Sequence, residues 1–370
     1  MTGSTTERIV VTYQYFGSDP QAIADTIRVE QSIEFPNELA AEWIQKDVVG
    51  VVESIDSVAT NEYRITISYN SGNAGGELPQ LLNVIWGNVS LFPGVRLIDV
   101  ELPESITDKF KGPRFGIDGL RKLFNAPTRP LLSTALKPMG SDSKTFAEMA
   151  YTLAMAGFDL IKDDHSLANQ PWATWKERVT LVARAVREAN EATGGKSVYA
   201  PSLNLPFDQI VDAAHTAKDL GAGALLVLPG ITGFDSLRLL AADDSLALPI
   251  QGHPAMLGSL VTSKSEGISH GIALGTLMRL AGADISIFPN VGGRFSFTKD
   301  QCLDITEKSR EKLGSLKSML VSPAGGMTLE RIPEMIEMYG KDSALLIGGA
   351  LSRGSLAENA ARMSEMVRSY

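Results

Sequence analysis

The feature that most constrains this 370-residue chain lies after residue 130, where eight short apolar runs alternate with helical patterns. The runs are 131–137 (LLSTALK), 158–164 (FDLIKDD), 197–204 (SVYAPSLN), 223–229 (GALLVLP), 248–253 (LPIQGH), 283–289 (ADISIFP), 318–323 (SMLVSP) and 344–349 (ALLIGG). Helical stretches lie among them at 144–156, 173–193, 207–220, 269–281, 299–312, 328–339 and 356–368. Continuous apolar runs suit strands buried on both faces, and parallel strands need helical crossovers. Eight such units match the α/β architecture of a (β/α)8 TIM barrel. An open doubly wound sheet gives the same alternation with fewer strands, so the count favours the barrel.

The first 125 residues read differently. Residues 8–16, 48–55, 63–69 and 94–102 suit strands, while 19–29, 37–46 and 78–86 carry helical patterning. This predicts a smaller α+β domain over 1–125, followed by a barrel domain over 126–370. Segment 110–130, rich in glycine, proline and basic residues, reads as the linker and the entry to the barrel domain. Charge narrows the partners. With 34 Lys and Arg against 43 Asp and Glu, the net charge is −9, which disfavours nucleic acid or an anionic membrane. An anionic substrate must then be held by a local site. The single cysteine, Cys302, excludes an intramolecular disulfide and a cysteine metal cluster. The first residues lack a basic segment followed by an apolar run, and no apolar run of about 18 residues occurs. A cytoplasmic location is the expectation.

Barrel chemistry sits where strands end. Those ends carry Lys137, the run Lys162–Asp163–Asp164–His165, Asn204 and His253, then Asn290 and Arg294 on a glycine-containing loop. Gly325–Gly326 and Gly348–Gly349 follow the last two strands, the usual phosphate position of such barrels. Paired glycines there let backbone N–H groups approach an anion; tight turns are their other use. The Lys-Asp-Asp-His run has several uses. Carboxylates beside a histidine can bind a divalent metal. A lysine of lowered pKa can form a Schiff base or take up CO2 as a carbamate. The same groups can form a structural ion pair at the rim. Of the four histidines, His165, His253 and His270 fall on this face, and His215 reads as an ordinary helix residue. That distribution points to acid/base or substrate-binding work.

These residues carry a resemblance. Residues 157–179 (GFDLIKDDHSLANQPWATWKERV) resemble the GxDFxKxDE…QPF segment of the RuBisCO large chain. TALKPMG (134–140) resembles its TIKPKLG, VEQSIEFP (29–36) its N-terminal ESSTGT region, and 86–103 its GN-containing segment. The resemblance runs from about residue 8 to 360. It implies an α+β N-terminal domain, a C-terminal (β/α)8 barrel and a homodimer whose active sites combine one barrel with the partner's N-terminal domain. It further implies that Lys162 is a carbamylated lysine and that Asp164 is a metal ligand, with His165 at a third ligand position. Lys137 matches an acid/base lysine, and His253 and His270 match substrate-binding histidines. Gly325, Gly326, Gly348 and Gly349 match phosphate-binding glycines. Glu30 and Asn88 match the partner-domain contributions, and Arg294 matches a loop lysine. Mg2+ is the implied ion.

The departures are equally informative. His165 stands where the carboxylase has glutamate, Met139 where it has a second lysine, and Pro254 where it has an arginine. Ala324 stands for a phosphate-adjacent serine, and Phe35–Pro36 for a threonine–tryptophan pair. Arginine does not replace lysine in a closing loop without consequence. The chain therefore resembles a RuBisCO-like protein and not a ribulose-bisphosphate carboxylase. Imidazole is a poor Mg2+ ligand, so His165 brings Mn2+ or Zn2+ into play. The retained parts imply enolate or enediolate chemistry on a phosphorylated keto sugar or sugar acid. The leading expectation is decarboxylation of a 3-oxo sugar-acid phosphate of the 3-oxo-isoapionate-4-phosphate type, because one retained phosphate motif suits a monophosphate. The alternatives are isomerisation or enolisation of a methylthio-sugar phosphate in sulfur salvage, a Schiff-base aldolase using Lys162 or Lys137, and a non-catalytic regulatory relative.

Overall fold

The computed structural model describes residues 7–295 and 297–370. In the N-terminal unit, β1 (Arg8–Phe16), β2 (Val51–Ala59), β3 (Glu62–Asn70) and β4 (Val95–Glu101) form an antiparallel sheet in the order β4-β1-β3-β2. Alternation sends Ile9, Val11 and Tyr13 of β1, with Ile65, Ile67 and Tyr69 of β3, into one core. The helix Leu78–Trp86 closes that core with Leu78, Leu81, Val84 and Ile85, at the three-to-four spacing of one helical face.

The eight expected barrel strands are all present. They are β5 (Leu131–Leu136), β6 (Leu160–Asp163), β7 (Val198–Ala200), β8 (Leu225–Val227) and β9 (Ile250–Gly252), then, after the two-residue β10 (Gly267–Ile268), β11 (Ile285–Pro289), β12 (Leu320–Ala324) and β13 (Ala344–Leu346). They form two parallel four-stranded sheets, β13-β5-β6-β7 and β12-β11-β9-β8. Single parallel bridges join the sheets at both seams, Ser202 to Leu226 and Val321 to Ser343, so the ring closes. An open sheet would leave one seam unpaired. β10 leaves the barrel and pairs in parallel with β4, while the Arg96 side chain donates to the Glu266 carbonyl at 3.1 Å. The two units are thus stitched together through backbone.

The presumed linker contains a helix, Gly116–Phe124. Its Leu120 and Phe124, with Ala126, plug the N-terminal end of the barrel against Leu131, Leu160, Ala200, Ala224, Ile285, Leu320 and Ala344. A glycine- and proline-rich composition concealed this i, i+4 apolar pair. This packing joins the helix to the barrel. Asp284, fully buried, holds the helix start: Oδ1 accepts from the N–H groups of Phe115 (2.7 Å) and Gly116 (2.9 Å), and Oδ2 from that of Ile250 (3.1 Å).

Burial pushes the Asp284 carboxyl from 3.8 up to about 6, against the pull of those N–H donors. A raised acid stabilises the fold fully below its unfolded pKa, and that contribution is lost as pH rises through the folded one. The stability advantage of wild type over Asp284→Asn should therefore shrink as pH rises from 3.8 through about 6 and then level off. The size is on the order of 3 kcal/mol, at about 1.4 kcal/mol per pKa unit. Urea titrations of both proteins across that range check it; a difference constant with pH would show that the carboxyl titrates alike in the folded and unfolded states.

Candidate active site

Strand alternation decides which residues reach the barrel lumen. Leu131 and Leu160 belong to the inner cluster, while Leu132 and Ile161 belong to the outer core. Counting by two places Lys162 and Asp164 on the inner side and Asp163 on the outer side. The contacts agree. Asp163 accepts from Arg178 Nε (3.2 Å), Tyr199 Oη (2.7 Å) and the Ser202 N–H (3.0 Å), all between strand and helix. It is a structural anchor, and only one of the two adjacent aspartates serves the lumen.

On the inner side the expected groups converge. Lys137 Nζ lies 2.5 Å from Asp164 Oδ1, and His165 Nδ1 lies 3.3 Å from the same oxygen. Ser166 Oγ donates to Asp164 Oδ2 at 2.8 Å. The His165 and His253 rings stack with centroids 4.5 Å apart and planes 12° from parallel. Lys162 is 2% exposed, and its Nζ donates to the Asp163 carbonyl at 3.0 Å. Burial opposes charge on Asp164, but hydrogen bonds from His165 and Lys137, the Lys162 charge and Ser166 outweigh it and hold the carboxyl well below its usual range. Burial lowers Lys162 to about 8, with the Lys137 charge adding to that and Asp164 opposing it. A fraction of neutral amine therefore exists near neutral pH. Burial, then the charges of Lys162 and His165, push His253 well below 6.5. Its Nδ1 accepts the Ala255 N–H at 3.1 Å, which leaves the proton on Nε2, facing out of that bond.

The other expected residues fall into place unevenly. Gly348 lies against Lys137, where an added Cβ would sit 3.6 Å from Cε; Gly349 beside it faces open space. Gly325 and Gly326 both adopt left-handed φ, at 76° and 70°. A Cβ on Gly326 would come within 2.4 Å of Gly293 Cα, so close loop packing already requires this glycine. Arg294 is exposed, with its guanidinium 5.0 Å over the Phe295 ring, and its recorded contacts do not reach the cluster. Asn290 is buried, donating to the sulfurs of Met327 and Met335 and accepting from Tyr339. His270 is 3% exposed and sits edge-on to Phe297, 4.4 Å between centroids. Burial, with the Arg96 charge, lowers it to about 4. The structure packs it as a neutral residue against Phe297. Glu30 and Asn88 pair with each other at 2.8 Å on the N-terminal unit. Among the described residues, neither has a recorded bond to its own barrel.

Among the described residues, no three His, Cys, Asp or Glu side chains are placed to hold a metal. Asp164 and His165 supply two donors. A third exists if Lys162 carries a carbamate oxygen, and a buried lysine with a neutral fraction suits that modification. The set fits a divalent ion on that condition. The residue that sequence reading missed is Arg178. Its signal was a charge on the apolar stripe of the helix Trp175–Thr193, four residues before the buried Val182.

Residues 116–364 match the family described as ribulose bisphosphate carboxylase large chain, catalytic domain. The fold and strand-end cluster thus define a RuBisCO-type barrel, and the chain belongs to the RuBisCO large-chain family as a RuBisCO-like member. The crystal structure of a Rubisco-like protein from Rhodopseudomonas palustris superposes with a TM-score of 0.89, at 38% identity, covering 99% of each chain. The 5-methylthioribulose-1-phosphate isomerase of Rhodospirillum rubrum is 37% identical over 96% of this chain and 95% of its own. The 2,3-diketo-5-methylthiopentyl-1-phosphate enolase of Bacillus licheniformis is 33% identical over 82% of this chain and 75% of its own. No helix among the described residues is long and apolar enough to cross a membrane.

Proposed function

We propose that this RuBisCO-like enzyme moves a proton at a carbon beside the carbonyl of a methylthio-sugar phosphate, isomerising or enolising it. The relatives favour this alternative over the decarboxylation that the sequence reading put first. The carrying observation is the cluster itself: Lys137 lies 2.5 Å from Asp164, beside the buried Lys162, which is lowered to about 8. Lys162 takes the proton from carbon, as amine or as carbamate. Lys137 returns one, with Asp164 aiming it. Neutral His253, with its proton on Nε2, donates to the carbonyl oxygen as charge develops there. Asp164, His165 and a carbamylated Lys162 would hold a divalent ion, Mg2+ or the softer Mn2+ or Zn2+ that imidazole prefers, to supply Lewis-acid stabilisation of negative oxygen. Gly348–Gly349 and Gly325 receive the phosphate. Glu30 and Asn88 complete the site of a second copy in a homodimer.

The test is 5-methylthioribulose 1-phosphate in D2O, followed by proton NMR, beside a 3-oxo sugar-acid phosphate monitored for CO2. Deuterium entering at the carbon next to the carbonyl, with no CO2 release from the acid, is the expected result. CO2 release without exchange would restore the decarboxylase reading. Chelation should stop the exchange, and Mg2+ or Mn2+ with bicarbonate should restore it. Exchange indifferent to chelator would remove the metal from the scheme.

A further inference from the structure

We propose that the barrel core beneath Lys162 is a hydrated polar floor, in which Gln251, Ser133 and Ser202 hold ordered water that fixes the position of the lysine amine. Strand alternation puts all three in the lumen. Ser133 is two residues from Leu131 and Ser202 two from Ala200, both members of the inner cluster. Gln251 is two residues before His253, whose ring stacks on His165 in the site. Each of the three is fully buried. Ser133 Oγ, Ser202 Oγ and both amide atoms of Gln251 lack a protein hydrogen-bond partner among the described residues. Buried polar groups are nearly always paired, and leaving several open in one barrel core would be costly. A neighbouring inward serine shows the contrast: Ser322 Oγ donates to the Ala344 carbonyl at 3.0 Å.

The lumen also holds the complementary group. Lys162 Nζ offers two N–H donors as an amine and three as an ammonium, and one of them goes to the Asp163 carbonyl. Its remaining donors and the open acceptors of Gln251, Ser133 and Ser202 occupy the same barrel interior. A buried water needs two to four polar partners, and the floor offers that many. In an ordinary barrel the inward layers are filled by bulky branched residues. Here Ser133, Ser202, Gln251 and Lys162 share the barrel interior with the apolar cluster of Leu226, Leu228, Ile287 and Leu346. Gln251 is therefore a positioning residue, acting through water on Lys162. That role rests on the reading of Lys162 as the active-site base; the floor itself does not.

The experiment compares wild type, Gln251→Leu and the milder Ser202→Ala by thermal melting, by a high-resolution crystal structure and by kinetics on 5-methylthioribulose 1-phosphate. The expectation is ordered water bridging Gln251 and the serines, and a lower melting temperature in Gln251→Leu. The kcat should drop about tenfold with KM changed less than about twofold, the mark of an interaction made in the transition state. Ser202→Ala should move the same way by less. If the amide is truly orphaned, replacing it by leucine raises the melting temperature, and that result with a dry lumen overturns the floor. Lower stability with unchanged kcat overturns the positioning role. Should wild type fail to turn over this substrate, the substrate reading falls while melting and density still decide the floor.

Discussion

Lys137→Met should lower kcat for proton return at carbon by about 10²–10⁴-fold, the usual weight of a general acid, with folding stability nearly unchanged. The side chain is 33% exposed, so its ammonium is not a structural ion in the core. Methionine keeps an aliphatic stem against Gly348. Asp164 would keep its contacts to His165 and Ser166 and the charge of Lys162, so no buried carboxylate is stranded. Its carboxyl would move up toward the ordinary range as one donor is lost. The loss should appear in kcat, because the ammonium acts on the developing carbanion more than on the bound ground state. Deuterium exchange separates the roles further. Exchange at the carbon that loses its proton should survive if Lys162 is the base, because Lys162 can return a deuteron there, while deuterium delivery at the carbon served by Lys137 fails. Equal loss of both steps would place Lys137 in abstraction as well, and a change within twofold would remove it from the chemistry.

The second large effect concerns stability. Arg178→Met should destabilise the fold by about 3–5 kcal/mol, the range for breaking one half of a buried ion pair. For a chain of this length that is a melting shift of roughly 5 °C. Arg178 and Asp163 are both 0% exposed. Burial already raises the Asp163 carboxyl, with Arg178, Tyr199 and the Ser202 N–H pulling it back. Without the guanidinium the carboxyl rises further. A raised acid stabilises below its unfolded pKa and loses that contribution as pH rises. The deficit of Arg178→Met should therefore be smallest in acid and grow toward neutral pH. Arg178→Met combined with Asp163→Asn should recover much of the loss, since no charge is then stranded. Urea denaturation at several pH values gives both results. A pH-independent deficit would mean lost packing, not lost charge compensation. Because Asp163 lies between Lys162 and Asp164, the single variant should also loosen the site and reduce kcat more than stability alone explains.

Much of this site was legible before any coordinates. The eight runs and the residues that end them placed Lys137, Lys162, Asp164, His165 and His253 on one rim, and the structure joins those five. His270 was grouped with them by its position before strand β11, yet its ring turns against Phe297. Arg294 was assigned to the site by its loop, and its guanidinium lies over the ring of the adjacent Phe295. Gly326 was read as an anion-binding glycine, and close approach to Gly293 accounts for it. The packing partners of His270 and Gly326, Phe297 and Gly293, are distant in sequence, and local pattern cannot supply them.

What the sequence alone determined is therefore periodic: strand count, helical crossovers, and the chemistry standing at each strand end. These follow from backbone geometry, with side chains alternating by two in strands and returning every 3.6 residues in helices. The tertiary structure decided the rest. It decided that Asp163 serves Arg178 while Asp164 serves Lys137, because only the assembled helix layer shows which strand face is outer. It decided that helix Gly116–Phe124 stops the barrel floor and that β10 pairs with β4. It also set the lowered affinity of Lys162 for its proton, since desolvation is a property of everything packed around an amine and not of its neighbours in the chain.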